Sequence, residues 1–224
     1  MNAISRSLMQ HQRRKICNLC IRWCVLGYVG VIYRVVTWLH IAVQCNVEVL
    51  ELELLGYPPY TKFSLPLCLF SCGSLRSLTL NLNSCSLVLP SAVGFTNLQS
   101  LSVSSVKMLN KSFGDWISSL CKSLKELRLE SIEKMNSINI NSSSLVYFTL
   151  LNSSLTELDH LSIAGEKLEV VNLEWRFNSF TGKSLKISTP NLKYFTWKGN
   201  PTNDNCLGNL MNLEGAQLFL EPNL

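Results

Sequence analysis

The sequence contains no glycine-rich phosphate loop ahead of a helix, no nucleophile-elbow motif and no second Cys-x-x-Cys to partner Cys17-x-x-Cys20. A phosphate cradle needs glycines so that backbone N–H groups can approach the anion, and an exposed hydrolase serine needs a strained strand-to-helix turn. A structural zinc site needs four ligands. The three histidines, His11, His40 and His160, are scattered, and His160 has no triad context. The residues therefore predict no catalytic group, no cofactor site and no metal site. Charge is also sparse, at 16% of residues, and acids are missing altogether from residues 1–47, which carry Arg6, Arg13, Arg14, Lys15, Arg22 and Arg34. The remaining 14 basic and 15 acidic residues nearly cancel, so nothing points to a nucleic-acid groove.

A charge-free apolar run is lacking too. The stretch from Ile16 to Val43 is long enough for the roughly 30 Å of a bilayer core. Arg22, Arg34 and His40 interrupt it, and a central charge costs at least about 2.5 kcal/mol. No membrane span is expected. A secretory signal is not expected either, because Arg22 sits in the apolar region and no small-residue cleavage site follows. Nine cysteines, an odd number in a chain large enough to fold without cross-links, read as reduced core thiols, Cys72, Cys85 and Cys121 among them. That reading places the protein in the cytoplasm or the nucleus. Asn110, Asn141 and Asn152 lie in glycosylation sequons that an Asn- and Ser-rich chain produces by chance.

What the sequence does contain is a recurring frame. Leu124-x-x-Leu127-x-Leu129 returns as Val47/Leu50/Leu52, Leu75/Leu78/Leu80, Leu98/Leu101/Val103, Leu145/Phe148/Leu150, Leu168/Val171/Leu173, Leu192/Phe195/Trp197 and Leu213/Ala216/Leu218. The first anchors are spaced by 28, 23, 26, 21, 23, 24 and 21 residues, a period shared by leucine-rich repeats. Each copy predicts a short strand whose second and third anchors share one face, and only stacked neighbours can bury that face. The predicted fold is α/β: a leucine-rich-repeat solenoid with a curved parallel sheet of about eight repeats.

Residues 33–44 predict a helix that caps the first repeat, so the repeat domain is expected over 33–224. Residues 1–32 are expected to form a basic and apolar terminus, degenerate or poorly ordered. Prolines in Gly56-Tyr-Pro-Pro59 and Leu65-Pro-Leu-Cys-Leu-Phe-Ser-Cys72 exclude a regular helix there. Ser112-Phe-Gly-Asp115 reads as a helix start. Beyond residue 130 the alternation in Ser137–Ile140, Leu161–Ile163 and Leu185–Ile187 predicts strands on the outer side. The chain's end, four residues past the last apolar strand position, is expected to look unfinished.

Period two places Glu51, Glu53, Thr79, Asn81, Glu126, Arg128, Glu130, Tyr147, Asn172, Glu174, Tyr194 and Lys198 on the solvent side of the inner sheet, where they form a candidate protein-binding face. The strip Glu126/Arg128/Glu130, flanked by Tyr147 and Tyr194, combines charge-assisted hydrogen bonding with aromatic anchors.

Val35-x-x-Trp38-x-x-x-Ala42, Leu65-Pro-x-x-Leu69-Phe-Ser-Cys72-x-Ser74-Leu75, Phe95-x-Asn97-Leu98 and Pro190-Asn-Leu192-Lys-x-Phe195-x-Trp197 resemble plant F-box/LRR-repeat proteins of the F-box/FBD/LRR type. The resemblance implies a repeat domain that recognises a protein substrate for a Skp1-cullin-F-box ubiquitin ligase, with an F-box docking onto a Skp1-type adaptor. No F-box phrase is found in the first 32 residues, and no FBD module follows. Adaptor contact therefore calls for an F-box supplied by a longer isoform or a partner. The alternative is a stand-alone LRR scaffold, or a truncated relative, without ligase contact.

Overall fold

The computed structural model describes residues 15–24, 30–56, 62–108, 112–152, 157–177 and 182–221. Its spine is a parallel inner sheet with strand order β1-β2-β4-β5-β6-β8-β10-β12-β14, in which β3 pairs additionally with β4. The strands are β1 (Asn18–Cys24), β2 (Val49–Leu55), β3 (Lys62–Ser64), β4 (Ser77–Val88), β5 (Ser100–Met108), β6 (Glu126–Glu133), β8 (Tyr147–Asn152), β10 (Val170–Trp175), β12 (Tyr194–Gly199) and β14 (Gly215–Leu220). A second parallel sheet, β13-β11-β9-β7, is built from β7 (Ser137–Asn141), β9 (His160–Ala164), β11 (Ser184–Ser188) and β13 (Asp204–Leu207).

The second and third anchors of all eight copies fall on inner strands and align in register, the first anchor lying two residues before each strand. Leu50, Leu78, Leu101, Leu127, Phe148, Val171, Phe195 and Ala216 form one row, and Leu52, Leu80, Val103, Leu129, Leu150, Leu173, Trp197 and Leu218 the next. Every member of both rows is buried except Ala216 and Leu218 on the edge strand. Burying one such side chain contributes roughly 1.5–3 kcal/mol, which is why stacked neighbours rather than strand propensity hold the fold. One carbonyl per repeat sets the register. Glu48 O accepts the N–H groups of Arg76 and Ser77, and Arg76, Gln99, Lys125, Val146, Glu169 and Lys193 repeat the arrangement for the strand that follows each. The molecule is thus the leucine-rich-repeat solenoid that the recurring frame predicts.

Several details differ from the expectation. The apolar run 16–43 is divided between β1 and α1 (Gly30–Gln44), so the boundary expected at residue 33 falls inside a helix. No helix among the described residues is long and apolar enough to cross a membrane. Strand β1 pairs with β2 along its length, and Trp23 meets Trp38 of α1 edge to face at 4.9 Å between ring centroids. The Leu65–Cys72 return holds a one-turn helix, α2 (Leu67–Phe70). Pro66 sits at its N-cap, where a missing N–H costs no helical bond, and so does not exclude the turn. Helix α3 (Phe113–Leu120) starts at Ser112, but the serine caps it without a side-chain hydrogen bond. The three outer strands expected after residue 130 are present as β7, β9 and β11, and β13 joins them.

Strands β4 to β6 are longer than the rest because each turns a corner at stacked left-handed residues: Asn83 and Ser84, Ser105, and Ser131, with φ between 46° and 63°. A non-glycine residue there costs about 1–2 kcal/mol. The burial of Cys85, Val106 and Ile132 just beyond the corner offsets it. At the same level Asn152 is buried, and its Oδ1 accepts the Ile132 N–H at 3.0 Å. The side chain of that sequon thus closes the corner of the preceding strand, β6, whereas Asn141 is exposed and Asn110 lies outside the described residues.

The expectation of core thiols holds for Cys45, Cys72, Cys85 and Cys121, which are buried, and not for Cys17, Cys20, Cys24 and Cys206, which are exposed because they lie on the solvent side or the edge of the sheets; Cys68 is half-buried. Burial pushes the Cys121 thiol up to about 11, which leaves roughly a thousandth of it as the reactive thiolate near pH 8. Maleimide followed by peptide mass mapping is expected to label the four exposed cysteines of the native protein and to reach Cys121 only after denaturant. Labelling of Cys121 in native buffer as fast as Cys206 would contradict the packing described.

Candidate protein-binding face

The inner sheet buries one side of each strand and leaves the other side facing solvent, so its register decides which side chains meet. All twelve residues proposed from period two lie on that solvent side. They form three rows. Glu126 and Tyr147 are register neighbours, with Val170 between Tyr147 and Tyr194. A second row reads Glu51, Thr79, Ser102, Arg128, Thr149, Asn172 and Thr196. The third reads Glu53, Asn81, Ser104, Glu130, Leu151, Glu174 and Lys198.

The central strip is partly engaged. Arg128 donates to Glu130 at 3.0 Å, two residues along the same strand, and Ser100 donates to Glu126 at 3.1 Å. Both partners of the Arg128–Glu130 pair are over 40% exposed, so the pair contributes at most about 1 kcal/mol to stability and is free to re-pair with a ligand. Tyr147 and Tyr194 are each 49% exposed. The Tyr194 hydroxyl donates to Glu214 at 2.6 Å. That hydrogen bond, with the negative charge behind it, pushes the phenol above its ordinary value. Tyr194 flanks the strip at two strands' remove from Tyr147, and further along its strand the Lys198 ammonium lies over the Phe219 ring at 5.5 Å.

The sequence reading missed the contribution of β1. Cys20 lies beside Glu51, and Arg22 lies beside Glu53 with its Nε 2.9 Å from the carboxylate. The signal was present, since Leu19, Ile21 and Trp23 alternate with Cys20, Arg22 and Cys24, but a 28-residue apolar run hides a period of two. Leu151 and Phe219, apolar members of the solvent rows, were missed as well. Among the described residues, no group of three or more His, Cys, Asp or Glu side chains could hold a metal ion.

Comparison with known proteins places this geometry. The family model for the LRR repeats of the FBD-associated F-box protein At5g56370 matches residues 35–195. The putative F-box/FBD/LRR-repeat protein At4g03220 of Arabidopsis thaliana is 33% identical over 171 residues, which is 72% of this chain and 33% of that protein. The chain thus spans about a third of the length of the curated relative that it matches. No solved structure matches it. Repeats of this kind are typically non-catalytic and serve protein interaction. A matched family model over most of the repeat region, a 33% identical relative and a stacked parallel sheet agree: the chain belongs to the plant F-box/FBD/LRR-repeat family.

Proposed function

We propose that this chain is the substrate-recognising part of an F-box subunit of a Skp1-cullin-F-box ubiquitin ligase, holding a protein on the solvent side of its inner sheet. The observation that carries the reading is the alignment of exposed carboxylates, guanidinium, hydroxyls and two half-exposed tyrosines in register across parallel strands, interrupted only by Val170 and Leu151. Such a surface is rigid, because each side chain is anchored on a strand hydrogen-bonded on both sides. Rigid presentation lowers the ordering cost of binding. The chain performs no chemistry in this scheme. A Skp1-type adaptor engages through an F-box on a longer isoform or on a partner, and the protein works in the cytoplasm or nucleus.

The test joins the chain to a known F-box in plant cells under proteasome inhibition and follows ubiquitination of the captured proteins. Arg128→Glu combined with Tyr147→Ala is expected to reduce the modified set at least tenfold, as for loss of two interface anchors, while adaptor binding persists. An unchanged set would sink the reading, and so would adaptor binding without ubiquitination of any captured protein.

A further inference from the structure

The solvent rows are uneven in height. Strands β4 and β5 carry only small polar groups there, Ser77, Thr79, Asn81, Ser100, Ser102 and Ser104, whereas their neighbours carry long side chains. Glu51 and Glu53 rise on β2, and Arg128 and Glu130 on β6. The result is a hollow of about 270 Å³ floored by hydroxyls and an amide, with its walls three strand spacings apart. At about 4.8 Å per spacing the walls stand roughly 14 Å from each other. An extended polypeptide with its side chains fits that width.

Charge complementarity selects the occupant. Arg22 is paired with Glu53 and Arg128 with Glu130, so each local cation is matched by one carboxylate. Glu51 on the β2 wall remains in excess, and Glu126, on β6 just outside the hollow, is met only by the neutral Ser100 hydroxyl. The Cys20 thiol beside Glu51 is pushed up by burial first, then by a hydrogen bond to Glu51 and by the charges of Glu51 and Glu53, against the opposing charge of Arg22.

We infer that this hollow between β2 and β6 receives an extended basic segment of a protein partner, its lysine or arginine side chains reaching the wall carboxylates while its backbone meets the hydroxyl floor. The inference rests on the proposed role of the inner sheet as a protein-binding face. It adds the chemistry of what is bound and the half of the face that binds it.

Fluorescence anisotropy with a labelled decapeptide of alternating lysine and serine, and a matched glutamate–serine peptide, reads the proposal. The lysine peptide is expected to bind and the glutamate peptide not to. Glu51→Gln is expected to weaken binding about fivefold, and Ser102→Trp, which fills the hollow without changing charge, at least tenfold. Thr79→Arg, which places a cation on the neutral floor, serves as a second variant, and circular dichroism confirms folding of each. Glu166→Gln, an equal loss of charge on a remote exposed turn, is expected to change nothing. Equal binding by Ser102→Trp and Glu166→Gln would mean diffuse attraction between charges and would overturn the inference. So would equal affinity for the two peptides. If captured ligase substrates still cross-link near Tyr147 and Tyr194 when the hollow is filled, the proposed function stands and this inference falls.

Discussion

Phe148→Ala is expected to lower the free energy of unfolding by about 3–5 kcal/mol, the cost of an aromatic truncation in a close-packed core. Phe148 is fully buried on β8, in register between Leu127 and Val171. In a stacked array stability is a sum of repeat terms and neighbour terms, so a hole at the fifth of eight repeat strands weakens two interfaces at once. Leu218→Ala removes a frame residue of the same kind from β14, where the side chain is 58% exposed, and is expected to cost less than about 1 kcal/mol. Urea unfolding followed by circular dichroism compares the two. Similar losses would show that the frame residues do not share one seam.

Asp159→Ala is expected to cost about 2–3 kcal/mol and, unusually, more than removal of its cationic partner. The Lys183 ammonium is buried, donating to Asp159 Oδ1 at 2.7 Å and to Leu158 O at 2.8 Å, and lying 5.3 Å from the centre of the Phe177 ring. Deleting one partner of a buried pair costs about 3–5 kcal/mol because the other charge is stranded. The carboxylate is 39% exposed, so water offsets part of that loss. Lys183→Met keeps the apolar stem, leaves the Leu158 carbonyl unpaired and turns the partly exposed Asp159 carboxylate to water, at about 1–2 kcal/mol. Adding Lys183→Met to Asp159→Ala is then expected to restore stability. Thermal unfolding of the three variants decides this, and an order in which Lys183→Met is the worst would refute it.

The repeats were legible because burial demands the same residue type at the same place in each turn. Leu78, Leu101 and Leu127 each sit two residues before another apolar anchor, and nothing except a stacked strand buries both. The solvent rows were equally legible, as the other half of that alternation. What stayed hidden is where one signal lies inside another. The alternation of Asn18–Cys24 is masked by apolar residues on its solvent side, and the corner at Ser105 and Ser131 has no glycine to announce it. Asn152 does the work of a corner asparagine one position earlier than Asn83 and Asn200 stand in their own copies, so a search at one offset passes over it. The hollow depends on side-chain length across neighbouring strands, a comparison that becomes possible only once register is known.

The outer sheet has a mechanical consequence. Strands β7, β9, β11 and β13 pair in parallel as the inner strands do, at the same pitch of about 4.8 Å, so equal spacing in the two layers gives that half no cause to bend. A helix is about 10 Å across, roughly twice a strand spacing, so α3 on the outer side favours a wider layer than the strands opposite it. Curvature is therefore expected in the first half, over β4 to β6, and a flatter run in the tyrosine-bearing half.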